Sequence, residues 1–253
     1  MPRGMRLIAA AHSIKGRRNN NEDAIAARPE LGFFAVADGM GGYEGGEIAS
    51  QLAISTLARM VGRALGGTDV YFPEPIDLNL SPTENLLRIG AIFAHERILH
   101  QRTGRLAEMG STLAMLAVVD RAAVIAHVGD SRIYRLREGL VEQLTTDHSL
   151  YEELRASGAD LPPKAKFPHA HVITRALGIR QGTLRPDLKS EPVQRGDTFL
   201  LCTDGLSEHF EAEELGTWLE DPDLERACHA LIDEAYRRGS RDNISAILVR
   251  AVG

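Results

Sequence analysis

Five short acidic segments stand out along the chain: Asn21-Glu22-Asp23, Asp38-Gly39-Met40-Gly41-Gly42, Gly129-Asp130-Ser131-Arg132, Thr203-Asp204-Gly205 and Arg241-Asp242-Asn243. Three of them abut apolar runs of strand character. Phe33–Ala37 precedes Asp38, Phe199–Cys202 precedes Asp204, and Ile244–Val249 follows Asp242. A carboxylate at the end of a buried strand has to be paired, hydrogen-bonded or bound to metal, because leaving an ion desolvated costs on the order of several kcal/mol. Repeated across the chain, the pattern points to metal. Oxygen donors suit hard Mg2+ or Mn2+, whereas a zinc site would draw on His and Cys. Gly39 lets the backbone come close, so its carbonyl is a further candidate ligand.

Each segment also has a plain structural reading. Asp-Gly is a common turn pair, because Asp tolerates turn geometry and Gly supplies positive φ. Arg18 alone would be a solvated surface charge, and Asp147 in Thr145-Thr146-Asp147-His148-Ser149 reads as a helix cap. The nine histidines show no ligand spacing, and Cys202 and Cys228 sit among apolar residues as buried thiols do.

The elements that must carry these residues begin with short β-type runs, Leu7–Ser13, Ala24–Arg28 and Leu31–Ala37. The period then changes. Ile54, Ala58, Val61 and Leu65 recur at helical spacing within 46–65, as do Leu87, Ala91, Ala94 and Ile98, so two amphipathic helices are predicted. Residues 66–82, with Pro73, Pro75 and Pro82, read as a surface loop between them. Strand-like runs follow at Thr112–Val119, Ala122–Val128 and Ile133–Leu136, joined by turn-prone pairs, then a short helix at Leu150–Ala156 and a strand at Thr198–Cys202. Leu224, Ala227, Leu231 and Ala235 mark a last helix, and Ile244–Val249 a last strand. Without regular βαβ alternation, the pattern favours an antiparallel α+β layered architecture over a parallel doubly wound one.

Composition sets outer bounds. The 253 residues carry a formal charge of −6, which argues against nucleic acid as the main partner. The doublets Arg17-Arg18 and Arg237-Arg238 are too short to alter that. Leu7–Ala11 is too short for a signal-peptide core, and no stretch approaches the roughly 20 apolar residues of a membrane span. A cytoplasmic, reducing setting, without a membrane partner, is the expectation.

Taken in order, the segments resemble the type-2C protein phosphatases, the metal-dependent PPM family of serine/threonine phosphatases, in its bacterial form. The likeness runs from Arg18-x-x-Asn21-Glu22-Asp23 through Asp38-Gly39-Met40-Gly41-Gly42, Gly110-Ser111-Thr112 and Gly129-Asp130-Ser131-Arg132. It continues in Val172-Ile173-Thr174-Arg175-Ala176-Leu177-Gly178, Thr203-Asp204-Gly205 and Asp242-Asn243, and so covers essentially the whole chain. The resemblance implies one domain over 1–253, with a flap at about 150–178 and a four-layer αββα fold in which two antiparallel sheets form a sandwich flanked by pairs of helices. It implies two Mn2+ or Mg2+ ions, with Asp38 bridging them, Asp204 and Asp242 completing the first site and the Gly39 carbonyl entering the second. Glu22 and Asp23 would act through waters, Asp130 with Asp204 would hold a third, weaker ion, and Arg18 would grip the substrate phosphate.

Mechanistically the resemblance implies hydrolysis of phosphoserine or phosphothreonine in proteins by a water shared between the ions, in opposition to a bacterial Ser/Thr kinase. A monomer is expected. Two departures stand beside it. Met40 occupies a place where eukaryotic members often carry a proton-donating His, and Phe167-Pro168-His169-Ala170-His171 lacks the arginine that many bacterial relatives carry before Val172. Two alternatives remain open: a pseudo-phosphatase that binds phosphoproteins without turnover, and a hydrolase of small phosphorylated metabolites.

Overall fold

The apolar run at 33–37 is continuous because both faces of its strand are buried. Phe33, Ala35 and Ala37 meet helices, while Phe34 and Val36 face a second sheet. A computed structural model describes residues 5–42, 44–68, 74–179 and 182–253. Its first elements are β1 (Arg6–Ile14), β2 (Asp23–Arg28), β3 (Phe33–Met40), α1 (Gly45–Leu65) and α2 (Pro82–Gln101). A meander follows: β4 (Gly110–Ser111), β5 (Leu113–Val119), β6 (Ala122–Val128), β7 (Arg132–Arg137) and β8 (Leu140–Gln143). The chain continues through α3 (Leu150–Ala156), β9 (Asp187–Pro192), β10 (Thr198–Cys202), α4 (Asp204–Ser207), α5 (Gly216–Leu219), α6 (Leu224–Arg237) and β11 (Ile244–Val252).

All strand pairs are antiparallel. One sheet runs β1-β11-β10-β7-β8 and the other β2-β3-β5-β6-β9, with β4 added on β3. Between them lies a core of Phe34, Val36, Leu116, Phe199, Leu201, Ile247 and Val249. The helices α1 and α2 cover the outer face of the second sheet through Leu57, Leu87 and Ile98. On the opposite side α6 covers the first sheet through Ala227, Leu231 and Ala235, which pack with Leu200 and Leu248. The result is the α+β, four-layer sandwich expected from the sequence. Ser81 caps α2 in a reciprocal pairing with Glu84, and Pro82 takes the first helical position.

Differences from the sequence reading are local. The strand expected from Leu31 starts at Phe33, because Leu31 and Gly32 close a turn onto Arg28 and Pro29. β8 and β9 were not anticipated; neither Leu140–Gln143 nor Asp187–Pro192 has a long apolar run. Part of the expected 66–82 loop, residues 69–73, lies outside the described residues.

Candidate metal centre

Antiparallel pairing explains how acids far apart in sequence meet. β2 and β3 set Asp23 directly opposite Asp38. The end of β10 and the start of β11 are neighbours in the other sheet, so Asp204, just after β10, comes beside Asp242, just before β11. Asp38 is raised well above its usual carboxylate range, first by burial and then by the charges of Asp204, Asp23 and Asp242, which puts all four in one cluster.

The protein supplies this cluster with few donors. Asp23 accepts through Oδ2 from Thr203 Oγ1 at 2.9 Å and Ser245 Oγ at 2.6 Å, while its buried Oδ1 has no partner. Burial pushes Asp23 up to about 7 against those two hydrogen bonds, with Asp204 adding repulsion. Asp204 rises to about 6, again through burial, and its Oδ1 is also without a partner. The Asp204 charge beside Asp38 is, after burial, the largest influence holding the Asp38 carboxyl up. These two orphaned oxygens, in a site of mutually repelling carboxylates, fit a divalent cation better than any internal pairing.

The backbone is drawn in as tightly. A Cβ on Gly39 would lie 2.0 Å from the Gly46 carbonyl oxygen and 2.6 Å from that of Glu22, so no other residue fits there. The Gly39 N–H donates to Glu22 O at 3.1 Å. Glu22 is raised by burial, and its N–H donates to Asn243 Oδ1 at 2.8 Å. Thr112 braces the other side, its Oγ1 accepting from Asp38 N–H at 2.9 Å. Asp130, after β6, is pushed up to about 7 by burial and by Asp204, and so flanks the same group. Asp242 differs in that both oxygens are engaged: Oδ1 accepts from Asn243 N–H at 2.8 Å and Oδ2 from Arg18 at 2.6 Å. Arg18 therefore sits at the mouth of the cluster, half exposed.

Several contributors had no role in the sequence reading. Thr112, Thr203 and Asn243 stood in the recognised segments without an assignment, and Ser245 was passed over inside an apolar strand. A hydroxyl interrupting Ile244–Val249 was the signal available. Asp147 is not a helix cap. Ser149 caps α3, and Asp147 instead accepts from Arg132 at 2.8 and 2.7 Å and from Lys164 at 3.0 Å. At the flap, His171 Nδ1 lies 2.5 Å from Glu208 Oε1, which ties the segment lacking an arginine to the turn just after α4.

The histidines also converge, with a different outcome. His127, His148 and Asp187 offer ligand atoms within 4.8 Å of one another. His148 Nδ1, however, accepts from the Gly129 N–H at 3.1 Å, so its proton is on Nε2, which lies 3.3 Å from Asp187 Oδ2. A metal on that nitrogen would require an imidazolate, and Arg175 already approaches it at 3.3 Å. The trio is a hydrogen-bonded brace for the Gly129–Asp130 turn.

Comparison with known proteins agrees with this geometry. The Protein phosphatase 2C family profile matches residues 10–249. The serine/threonine protein phosphatase PstP of Mycobacterium tuberculosis is 35% identical over 250 residues, covering 97% of this chain and 45% of PstP, so the chain spans about half the length of that relative. Protein phosphatase PhpP of Streptococcus pneumoniae is 32% identical, with 96% of each chain covered. A solved catalytic domain of PstP in complex with two manganese ions superposes with a TM-score of 0.79 at 32% identity, covering 98% of this chain and 100% of that one.

Proposed function

The chain belongs to the protein phosphatase 2C family, and from that premise we propose that it is a metal-dependent phosphatase that hydrolyses phosphoserine and phosphothreonine in proteins. The observation that carries this reading is the trio of buried Asp23 and half-buried Asp38 and Asp204, with two buried oxygens, Asp23 Oδ1 and Asp204 Oδ1, that no protein donor satisfies. In this reading Asp38, Asp204, Asp242 and the Gly39 carbonyl would hold two ions, Glu22 and Asp23 would act through waters, and Asp130 with Asp204 would hold a third ion. Mn2+ or Mg2+ suits these oxygens, and manganese is the metal in the PstP catalytic domain. Bound there, two divalent cations supply Lewis acidity, lowering the pKa of water and neutralising phosphate oxygens.

The protein's own part is orientation and charge. Thr203 and Ser245 fix the Asp23 carboxylate and Thr112 holds the Asp38 backbone, so little reorganisation accompanies the reaction. Arg18 holds Asp242 with one nitrogen, and the other edge of its planar guanidinium is available to a phosphate oxygen. Met40 donates no proton, so the leaving alkoxide has to be protonated by solvent in the cleft. The reading extends to one domain over 1–253, supported by the pairing of β1 with β11, and to a cytoplasmic monomer that opposes a Ser/Thr kinase. Among the described residues no helix is long and apolar enough to cross a membrane.

The test is phosphate release from a phosphothreonine peptide with Mn2+ present. Activity should vanish on chelation and in Asp204→Asn. A variant as active as the wild type would sink the reading, and binding without turnover would favour the pseudo-phosphatase instead.

A further inference from the structure

Arg17, of the first arginine doublet, meets Tyr236, 219 residues further on and just before the second doublet. The Arg17 guanidinium lies 4.7 Å from the centre of the Tyr236 ring and donates to the Tyr236 carbonyl at 3.3 Å. The turn that carries it is clamped onto the segment after α6. Asn243 Nδ2 donates to the Lys15 carbonyl at 3.0 Å and to that of Asn20 at 2.8 Å. Gly16, at φ +57°, approaches so closely that a Cβ would fall 2.2 Å from the Asp242 carbonyl oxygen. Lys15, Arg17 and Arg18 from one turn are thereby set against Arg241 and Asp242 from the other.

Charge on this rim is one-sided. Arg237 is balanced by Glu234, and Arg18 by Asp242. Lys15, Arg17 and Arg241 are exposed and have no carboxylate partner among the described residues. These are three exposed cations, on a chain of net charge −6, carried by the two turns that close contact brings together at Gly16 and Asp242, beside Arg18 of the proposed phosphate site. Arg17 is also held in place by its ring and carbonyl contacts, so it loses less side-chain freedom on meeting an anion than a free surface arginine would.

We propose that Lys15, Arg17 and Arg241 form a specificity rim that selects phosphopeptides with Asp or Glu next to the phosphorylated residue. The inference rests on the phosphatase reading, which brings the phosphate to Arg18. An extended peptide advances about 3.3 Å per residue, so side chains one to three positions away pass over this rim. Exposed ion pairs are individually weak, each giving roughly a two- to threefold preference, so the three together give roughly tenfold.

Three phosphothreonine peptides, with acidic, neutral or basic flanks, and p-nitrophenyl phosphate separate the possibilities. The wild-type protein should prefer the acidic peptide over the basic one by roughly tenfold in kcat/KM, through KM, and 0.5 M NaCl should erode the preference. The triple variant Lys15→Ala, Arg17→Ala, Arg241→Ala should lose it while hydrolysing p-nitrophenyl phosphate like the wild type. If the triple variant melts early, Arg17→Ala alone should halve the preference or better. Equal treatment of the peptides by the wild type, or an unchanged preference in either folded variant, overturns the rim. Should no substrate be hydrolysed, peptide affinities by calorimetry decide separately: a flank preference abolished in the variants keeps the rim and discards the hydrolysis, and no preference discards both.

Discussion

Asp23 and Asp147 are 7% and 6% exposed, yet the protein treats them in opposite ways. Asp147 receives both arms of Arg132 and the ammonium of Lys164, which outweigh the burial that would raise it and leave it below the usual carboxylate range. Asp23 receives two neutral hydroxyls and faces Asp38, Asp204 and Asp242, and it is raised to about 7. Equal burial therefore carries no functional information by itself. What separates a structural acid from a candidate ligand is whether the fold brings a cationic side chain to it: Asp147 has Arg132 and Lys164, and Asp23 has none among the described residues.

The largest test of that contrast exchanges charge for shape at each place. Asp38→Asn should cut phosphate release by more than about a hundredfold, beyond the 10–100-fold typical of residues that only support a ligand. It should leave the metal-free protein at least as stable, because one member of a repelling group is gone. Asp147→Ala should do the reverse. It strands the Arg132 guanidinium, whose side chain is 15% exposed, at a cost of about 3 kcal/mol in a urea melt. A destabilised Asp38→Asn or an unperturbed Asp147→Ala would remove the distinction.

Titration sharpens the same contrast. Asp23 binds a proton in the native state up to about pH 7 but in the unfolded chain only near the ordinary aspartate value of 3.8, so metal-free stability from this group falls as pH rises between the two. For Asp147 the folded value is lowered, so its contribution is present above 3.8 and is lost as pH falls further. Cation binding must displace the Asp23 proton, which makes apparent Mn2+ affinity fall roughly tenfold from pH 8 to pH 6 on that group alone. Calorimetry at the two pH values, with the accompanying proton release, measures it. An affinity constant across this range would mean that Asp23 is already ionised.

Much of the fold could be read in advance where one rule dominated. The runs at Ala122–Val128 and Thr198–Cys202 coincide with elements because apolar strands buried on both faces announce themselves locally, and the helix at Leu150–Ala156 was also placed, although its cap is Ser149 and not Asp147. β9 did not, since Asp187–Pro192 lies at a sheet edge and its alternation is diluted by exposed charges. In the site, the acids were visible because they interrupt apolar runs. Asp147 was misread as a cap because its partner Arg132 is 15 positions away and joins it only after β7 and the following turn have formed. The rim of Lys15, Arg17 and Arg241 was invisible for the same reason: residues 15–17 and Arg241 lie at opposite ends of the chain and come together only when β1 and β11 are paired.

The smallest effect tests the hydroxyls that hold Asp23. Ser245 donates its Oγ proton to Asp23 Oδ2 at 2.6 Å, and its oxygen lies 2.7 Å from Ser13 Oγ, which in turn accepts from Asn21 Nδ2 at 2.8 Å. Ser245→Ala removes one of two donors to Asp23 and leaves Thr203 in place, so the carboxylate keeps its position approximately but loses orientation and part of what favours its ionised form. Metal affinity should drop by roughly tenfold, the lower end of what outer ligands contribute, and the Asp23 titration should move further up. Ser245→Thr, which restores the hydroxyl within a buried strand, should recover most of the affinity if the donor matters. Recovery by Ser245→Val as well would assign the effect to packing instead, since valine fills the same space without a proton to give.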